Sequence, residues 1–238
     1  MTPEPLTFDE LAHRYHLHGH PVFSVTQLLK ICGMTDWSKI PPTTLEAARE
    51  RGSIVHRAIH FWNENDLDVA QFAATFPHFV GYLHSWIALV HTGRLRTVLC
   101  EHRVGNESPR FAGTFDWLGL VDGHAALLDF STGNPDDAAK HLQTAGYVLA
   151  SRAWGTMPGE TVLRDFHAAH PYVERYSVRL NRDGALPELT PYRDPRDFSA
   201  FLMIAACVNA VSAWRRHIRA SADDPSWDWS HERTEVAS

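Results

Sequence analysis

Asp116 and Asp129 lie on either side of Asp122-Gly123, a dipeptide suited to a two-residue hairpin turn because both loop positions take positive φ. If residues 122 and 123 form the loop, residue 121 faces 124, and counting outward residue 116 faces 129. Opposed residues share a face, with Cβ atoms ~4.5–5.5 Å apart. Two like charges so placed repel, and their neighbours Phe115, Trp117, Leu127, Leu128 and Phe130 are apolar, so the pair needs neutralising. A hard divalent cation bound through oxygen, such as Mg²⁺, would do this. A shared proton or an arginine partner would also serve. Strand alternation puts Ser131 on the face of Asp129, with Thr114 expected opposite it. On the helix that follows, Lys140, Gln143 and Tyr147 recur at three- and four-residue steps and share a face. That face can look back at the carboxylates, or make only a helix–sheet hydrogen-bonded contact. Lys140 could equally pair with Asp136, one turn earlier.

The elements that must hold these groups can be read outward from the hairpin. Residues 97–104, 111–121 and 124–131 read as strands. Asn134-Pro135 is expected to cap a helix to about Trp154, with Asp136 and Asp137 favourably placed in its first turn. Upstream, residues 13–25 read as a hairpin turning at Gly19. Ser24-Val-Thr-Gln27 then has the capping-box pattern of a helix that Gly33 can close. Pro41 and Pro42 mark a loop, and a long helix starts at Thr43 or Thr44 and runs to about Asn63, with Leu45, Ala48, Gly52, Val55, Ile59 and Trp62 on one stripe. A further helical stretch covers roughly 69–92. Downstream, strands at 173–180 and 186–192 are joined by Asp183-Gly184, and Asp194-Pro195 caps a last helix to about His217. The pattern predicts an α/β fold, a mixed central sheet flanked by helices, in one domain over residues 1–220. A polar, disordered tail is expected over 221–238.

Composition limits the class of protein. The chain has 238 residues, 44% of them hydrophobic, with 8 Trp and 12 Phe, enough for a sizeable core. No uninterrupted apolar run approaches the ~18 residues of a membrane span. The N-terminal MTPEPLTFDE has neither the basic start nor the apolar stretch of a secretory signal, so a cytoplasmic setting and no membrane partner are expected. Cys32, Cys100 and Cys207 are widely separated, which argues against a cysteine-held zinc or iron–sulfur site and suggests buried, reduced thiols. The net charge of −6 argues against a broad nucleic-acid-coating surface and leaves room for a narrow basic groove. Arg49, Arg51 and Arg57 cluster, as do Arg94 and Arg96, although solvated helix faces would give the same pattern. His16, His18 and His20 alternate on one expected face and could take a transition metal. Trp227-Asp228-Trp229 in the tail could dock a partner or simply be loose chain.

Taken in order, SVTQLL (24–29), RGSIVH (51–56), CEHRV (100–104), AGTFDWLG (112–119), LLDFSTG (127–133) and LQTAGY (142–147) resemble the PD-(D/E)XK nuclease superfamily. The similarity lies with its RecB-like and phage-type exonucleases, the branch that includes the mitochondrial genome maintenance exonuclease. It spans roughly residues 8–217. The resemblance implies a restriction-endonuclease-like core and a metal-dependent DNA exonuclease acting on single strands or duplex ends. Such enzymes serve recombination or repair, with a protein partner possible, in phage or bacterial hosts. The implied metal is Mg²⁺ or Mn²⁺, held by His56, Asp116, Asp129 and the main-chain carbonyl of Phe130. Gln143 and Tyr147 would support the site and touch DNA, Glu101 matches an acidic position before the hairpin, and His60 stands behind His56.

The chain departs from the family pattern at one decisive place. The motif lysine, two residues after the second acid, is Ser131 here. A serine hydroxyl can hydrogen-bond a water but carries no charge with which to replace an ammonium. Three explanations stand side by side: a degenerate, inactive nuclease that keeps the fold as a DNA-binding or scaffold protein; a lysine that has migrated, with Lys140 the candidate; or an engineered substitution.

Overall fold

The computed structural model describes residues 5–35, 40–133 and 138–221. The protein is mixed α/β: an eight-stranded mixed sheet flanked, among the described residues, by seven helices. The predicted caps at Asn134-Pro135, the acids Asp136 and Asp137, and Trp227-Asp228-Trp229 lie outside the described residues.

The chain opens with β1 (Leu6–Asp9), not foreseen in the sequence, and then the predicted hairpin of β2 (Arg14–Leu17) and β3 (His20–Ser24). The turn is His18-Gly19, both at positive φ. Ser24 caps α1 (Val25–Ile31) in a full capping box: Ser24 Oγ accepts from the Gln27 N–H, and Gln27 Oε1 accepts from the Ser24 N–H. Helix α2 (Pro42–Asn63) begins one residue before the expected start, because proline at the first helical position lacks only an N–H that would be unpaired anyway. The helix expected over 69–92 is two helices, α3 (Val69–Thr75) and α4 (Val80–His91), with Pro77 between them.

Strands β4 (Leu95–Glu107), β5 (Arg110–Val121) and β6 (His124–Ser131) follow as predicted, β4 being longer at both ends. Helix α5 is described over Ala138–Trp154. A short helix α6 (Thr161–Ala169), absent from the sequence reading, buries Leu163 and Phe166. The antiparallel pair β7 (Glu174–Arg179) and β8 (Glu188–Pro191) precedes α7 (Arg196–Ser221).

β5 organises the sheet. β4 pairs along essentially its whole length. Its other edge is shared: β3 runs parallel to its start, at Phe111 and Ala112, while β6 runs antiparallel to its end, from Trp117 to Val121. Between these two contacts the edge is open. From there β6 continues alongside β7, in parallel. This fork holds residues 113–116 of β5, and the candidate site is built around it.

Both faces of the sheet are covered. One apolar cluster joins Val25, Leu28, Phe111, Leu118, Leu127, Val148 and Phe201 beneath α1, α5 and α7. The other joins Val55, Ile59, Leu83, Trp86, Trp117, Leu128 and Phe130 beneath α2 and α4. Alternation along β6 accounts for the division, with Ala125 and Leu127 on one face and Ala126, Leu128 and Phe130 on the other.

Helix α7 is long and apolar enough over Arg196–Ile218 to cross a membrane by length and composition. It lacks a long uninterrupted apolar run, but five alanines, two valines and two isoleucines are spread among its polar residues. Phe201, Ala205 and Val208 face the core at helical spacing, whereas Met203 and Trp214 are exposed. The cysteine expectation is revised: Cys32 and Cys207 are exposed and only Cys100 is partly buried.

His167 of α6 gives the fold a pH dependence. Burial, with help from Arg152, pushes its pKa from the ordinary 6.5 down to about 4. Its ring meets Ser151 Oγ at 3.0 Å. Above pH 6.5 the ring is neutral folded or unfolded. Between 6.5 and about 4 only the unfolded chain binds the proton, so stability falls with falling pH. His167→Gln is expected to flatten that part of a melting-temperature profile, read as the difference from wild type.

Candidate metal centre

The hairpin register matches the count from Asp122-Gly123: Val121 faces His124 and Trp117 faces Leu128. The ladder stops there, one pair short of Asp116 and Asp129, where the strands part. Asp116 instead reaches into the fork, and its Oδ2 accepts the Phe130 N–H at 2.6 Å. That bond satisfies a backbone donor left without a β5 partner and ties Asp116 to Phe130, the residue that follows Asp129 in the chain. Both carboxylates are buried, at 7% and 2% exposure. The partners expected one step further do not meet: Thr114 faces Arg103 and bonds Tyr15, while Ser131 faces Arg179 of β7.

Around Asp116, Glu101 and His56 converge. His56 Nδ1 lies 3.3 Å from Asp116 Oδ1 and 3.4 Å from Glu101 Oε1. One ligand atom from each of the three residues lies within 4.8 Å of the others, the only such group among the described residues. The His16, His18, His20 trio is thus not assembled: His18 sits in the turn and pairs with Glu107 instead. Helix α2 supplies His56 because Val55 and Ile59 bury the adjoining stripe against the sheet. Glu101 is delivered by a backbone irregularity. Its φ is +45° inside β4, and it and Asp116 are missing from a ladder that continues on both sides of them. A non-glycine residue in that conformation costs on the order of 1–3 kcal/mol, the kind of strain that gathers at functional sites.

From the other side, α5 supplies polar groups to Asp129. Lys140 Nζ donates to Asp129 Oδ2 in a very short contact, and Gln143 Nε2 donates to Asp129 Oδ1 at 3.0 Å. Gln143 also lies 3.3 Å from the Tyr147 hydroxyl. The Lys140, Gln143 and Tyr147 face inferred from spacing therefore does look back at the acids. Tyr147 in turn explains a glycine: a Cβ on Gly113 would stand 2.7 Å from its ring and 3.3 Å from Val25. Gly113→Ala is expected to cost about 1–3 kcal/mol in chemical denaturation, since the buried ring must move.

Ser131 does not address the acids. Its hydroxyl engages the backbone of Gly133, and Arg51 of α2 donates to neighbouring Thr132 at 3.0 Å. Arg51 was visible in the sequence only as one of a basic cluster. His60 pairs loosely with Glu64, and its Nδ1 is buried without a partner among the described residues.

The electrostatics describe an acid-rich, desolvated pocket. Burial raises the pKa of Glu101, against the pull of His56. Burial and Asp116 likewise raise that of Asp129, against Lys140. His56 loses solvation too, but Asp116 and Glu101 outweigh that and hold its pKa well above 6.5. Burial likewise opposes the charge on Lys140, and Asp129 overcomes it. Burial and Asp129 push the Tyr147 phenol far up, so it stays neutral. Three carboxyl groups thus share the pocket with two basic side chains.

A hard or borderline divalent cation fits this donor set. The two carboxylates are suitable ligands for Mg²⁺ or Mn²⁺, while the imidazole suits a transition ion better than Mg²⁺. Glu101 Oε1 is buried with only the long 3.4 Å contact to His56 Nδ1, which leaves it acceptor capacity for a cation. No family model matches the chain, and no characterised protein matches it significantly.

Proposed function

We propose that the protein is a metal-dependent nuclease of the PD-(D/E)XK type, hydrolysing phosphodiester bonds in DNA as an exonuclease. The observation that carries this reading is the convergence of His56, Glu101 and Asp116, with Asp129 and its lysine beside them, in a fork of the central sheet.

In this reading His56, Glu101 and Asp116 hold Mg²⁺ or Mn²⁺, with Asp129 and the Phe130 carbonyl on the near side. The ion would polarise a phosphodiester oxygen and lower the pKa of the attacking water. The rest falls to side chains. Lys140, drawn in by Asp129, supplies the ammonium missing at Ser131, so the motif lysine has migrated from strand to helix. Its charge stabilises the negative charge that develops on the phosphate. Gln143 orients Asp129, and Tyr147 braces Gln143. Arg51, at Thr132, is placed to meet a phosphate on the α2 side. Incubation with end-labelled single- and double-stranded DNA plus Mg²⁺ or Mn²⁺ should give cleavage absent from Asp116→Ala. Equal, background-level signal from both proteins would refute it.

One observation favours a second reading. Ser131 is turned to its own loop, so the motif position contributes nothing to the acids. The protein would then be an inactive, DNA-binding or scaffold relative. Ser131→Lys separates the two: cleavage that appears only in that variant supports the inactive form, and cleavage without it supports Lys140.

A further inference from the structure

A cluster of cations lies at the start of β5, away from the acids at its middle. Arg14 of β2, Arg110 of β5 and Arg216 of α7 line one concavity of about 320 Å³, with Gln27 and Asn209 on its wall and no acidic residue. The arginine ion pairs among the described residues belong to Arg94, Arg103, Arg164, Arg175 and Arg196, not to these three. The acids that face them across the strands are engaged elsewhere. Asp9, opposite Arg14, accepts from the Ala12 N–H, and Glu107, opposite Arg110, holds His18. Asn209 ties the helix to this strand end by donating to the Arg110 carbonyl. Three exposed arginines that form no ion pair with an acid among the described residues thus make a local positive patch in a protein of net charge −6, with Arg110 also donating to the Leu17 carbonyl.

We propose that this pocket is a phosphate-binding site, and that its phosphate belongs to a nucleic-acid strand whose scissile bond lies at the acid cluster. The second half rests on the nuclease reading above. Guanidinium forks match phosphoryl oxygens in pairs, and a mouth of this size admits a phosphate with its sugar. The separation is set by β5. Six residues, from Arg110 to Asp116, at ~3.3 Å each put the pocket about 20 Å from the acids. At a rise of ~3.4 Å per nucleotide, a B-form strand covers that distance in about six nucleotides. The pocket would anchor the strand remote from the chemistry, so an oligonucleotide too short to reach the acids would be held at the pocket alone.

The test is binding in EDTA, by anisotropy of labelled single-stranded 4-mers and 12-mers, with pyrophosphate titrated separately. Wild type should bind the 12-mer more tightly than the 4-mer. Arg14→Gln combined with Arg110→Gln should weaken the 12-mer about tenfold or more, flatten its salt dependence and weaken the 4-mer as well. Arg216→Gln, on an exposed helix turn, should act in the same direction with less risk to folding, and Asp116→Ala should leave the length effect intact. Tight 12-mer binding unaffected by the arginine changes would overturn the inference while leaving the nuclease reading standing. Arginine-dependent pyrophosphate binding with no oligonucleotide binding would assign the pocket to a free phosphate. That result would overturn the strand assignment and count against the nuclease as well.

Discussion

Lys140→Ala should lower phosphodiester cleavage by roughly 100–1,000-fold, the effect expected when a preorganised charge at a developing anion is removed. The same change should lower folding stability by about 3–5 kcal/mol, because Asp129 would be left buried and unpaired. The two effects have one origin. Asp129 is 2% exposed and has only Lys140 and Gln143 as side-chain partners on α5. Chemical denaturation measures the structural loss, and turnover at saturating Mn²⁺ measures the catalytic one. Adding Asp129→Asn should recover much of the stability without restoring cleavage, since an amide needs no counter-charge. A Lys140→Ala protein that cleaves normally would remove the migrated lysine from the mechanism.

Asp116→Ala is the second large effect, an expected loss of ~1,000-fold or more in cleavage. Asp116 is the hinge of the arrangement. One oxygen holds the Phe130 N–H, and the other faces His56, which also faces Glu101. Removing it would take a ligand from the proposed cation and a backbone acceptor from the fork. Asp116→Asn separates these roles: its amide oxygen can still accept the Phe130 N–H but offers no charge. It should fold nearly as well as wild type and still fail to cleave.

Local signals made much of the scaffold legible in the sequence. Asp122-Gly123 set the hairpin register because both residues suit positive φ, and the Ser24–Gln27 box marked the start of α1. The helical face of Lys140, Gln143 and Tyr147 followed from spacing alone. The fork did not, because it arises from parallel pairings of β3 with β5 and β6 with β7, contacts distant in sequence that no short motif announces. For that reason the sequence placed Asp116 and Asp129 in a regular ladder, whereas the strands part before reaching them. Glu101 was the residue most undervalued. Its part in the group depends on a positive φ within a strand, which glutamate does not signal. Pro77, by contrast, was a readable break that divides α3 from α4.

The account rests on His56, Glu101 and Asp116 forming one cation site, and Mn²⁺ titration of chelator-stripped protein, followed by calorimetry and melting temperature, tests it most directly. It predicts one bound ion per chain, a rise in melting temperature, and proton release as the metal displaces the proton held at His56. Both binding and stabilisation should vanish in Glu101→Gln and in Asp116→Asn. No heat of binding and an unchanged melting temperature in millimolar Mn²⁺ would contradict it, and so would binding that survives both substitutions.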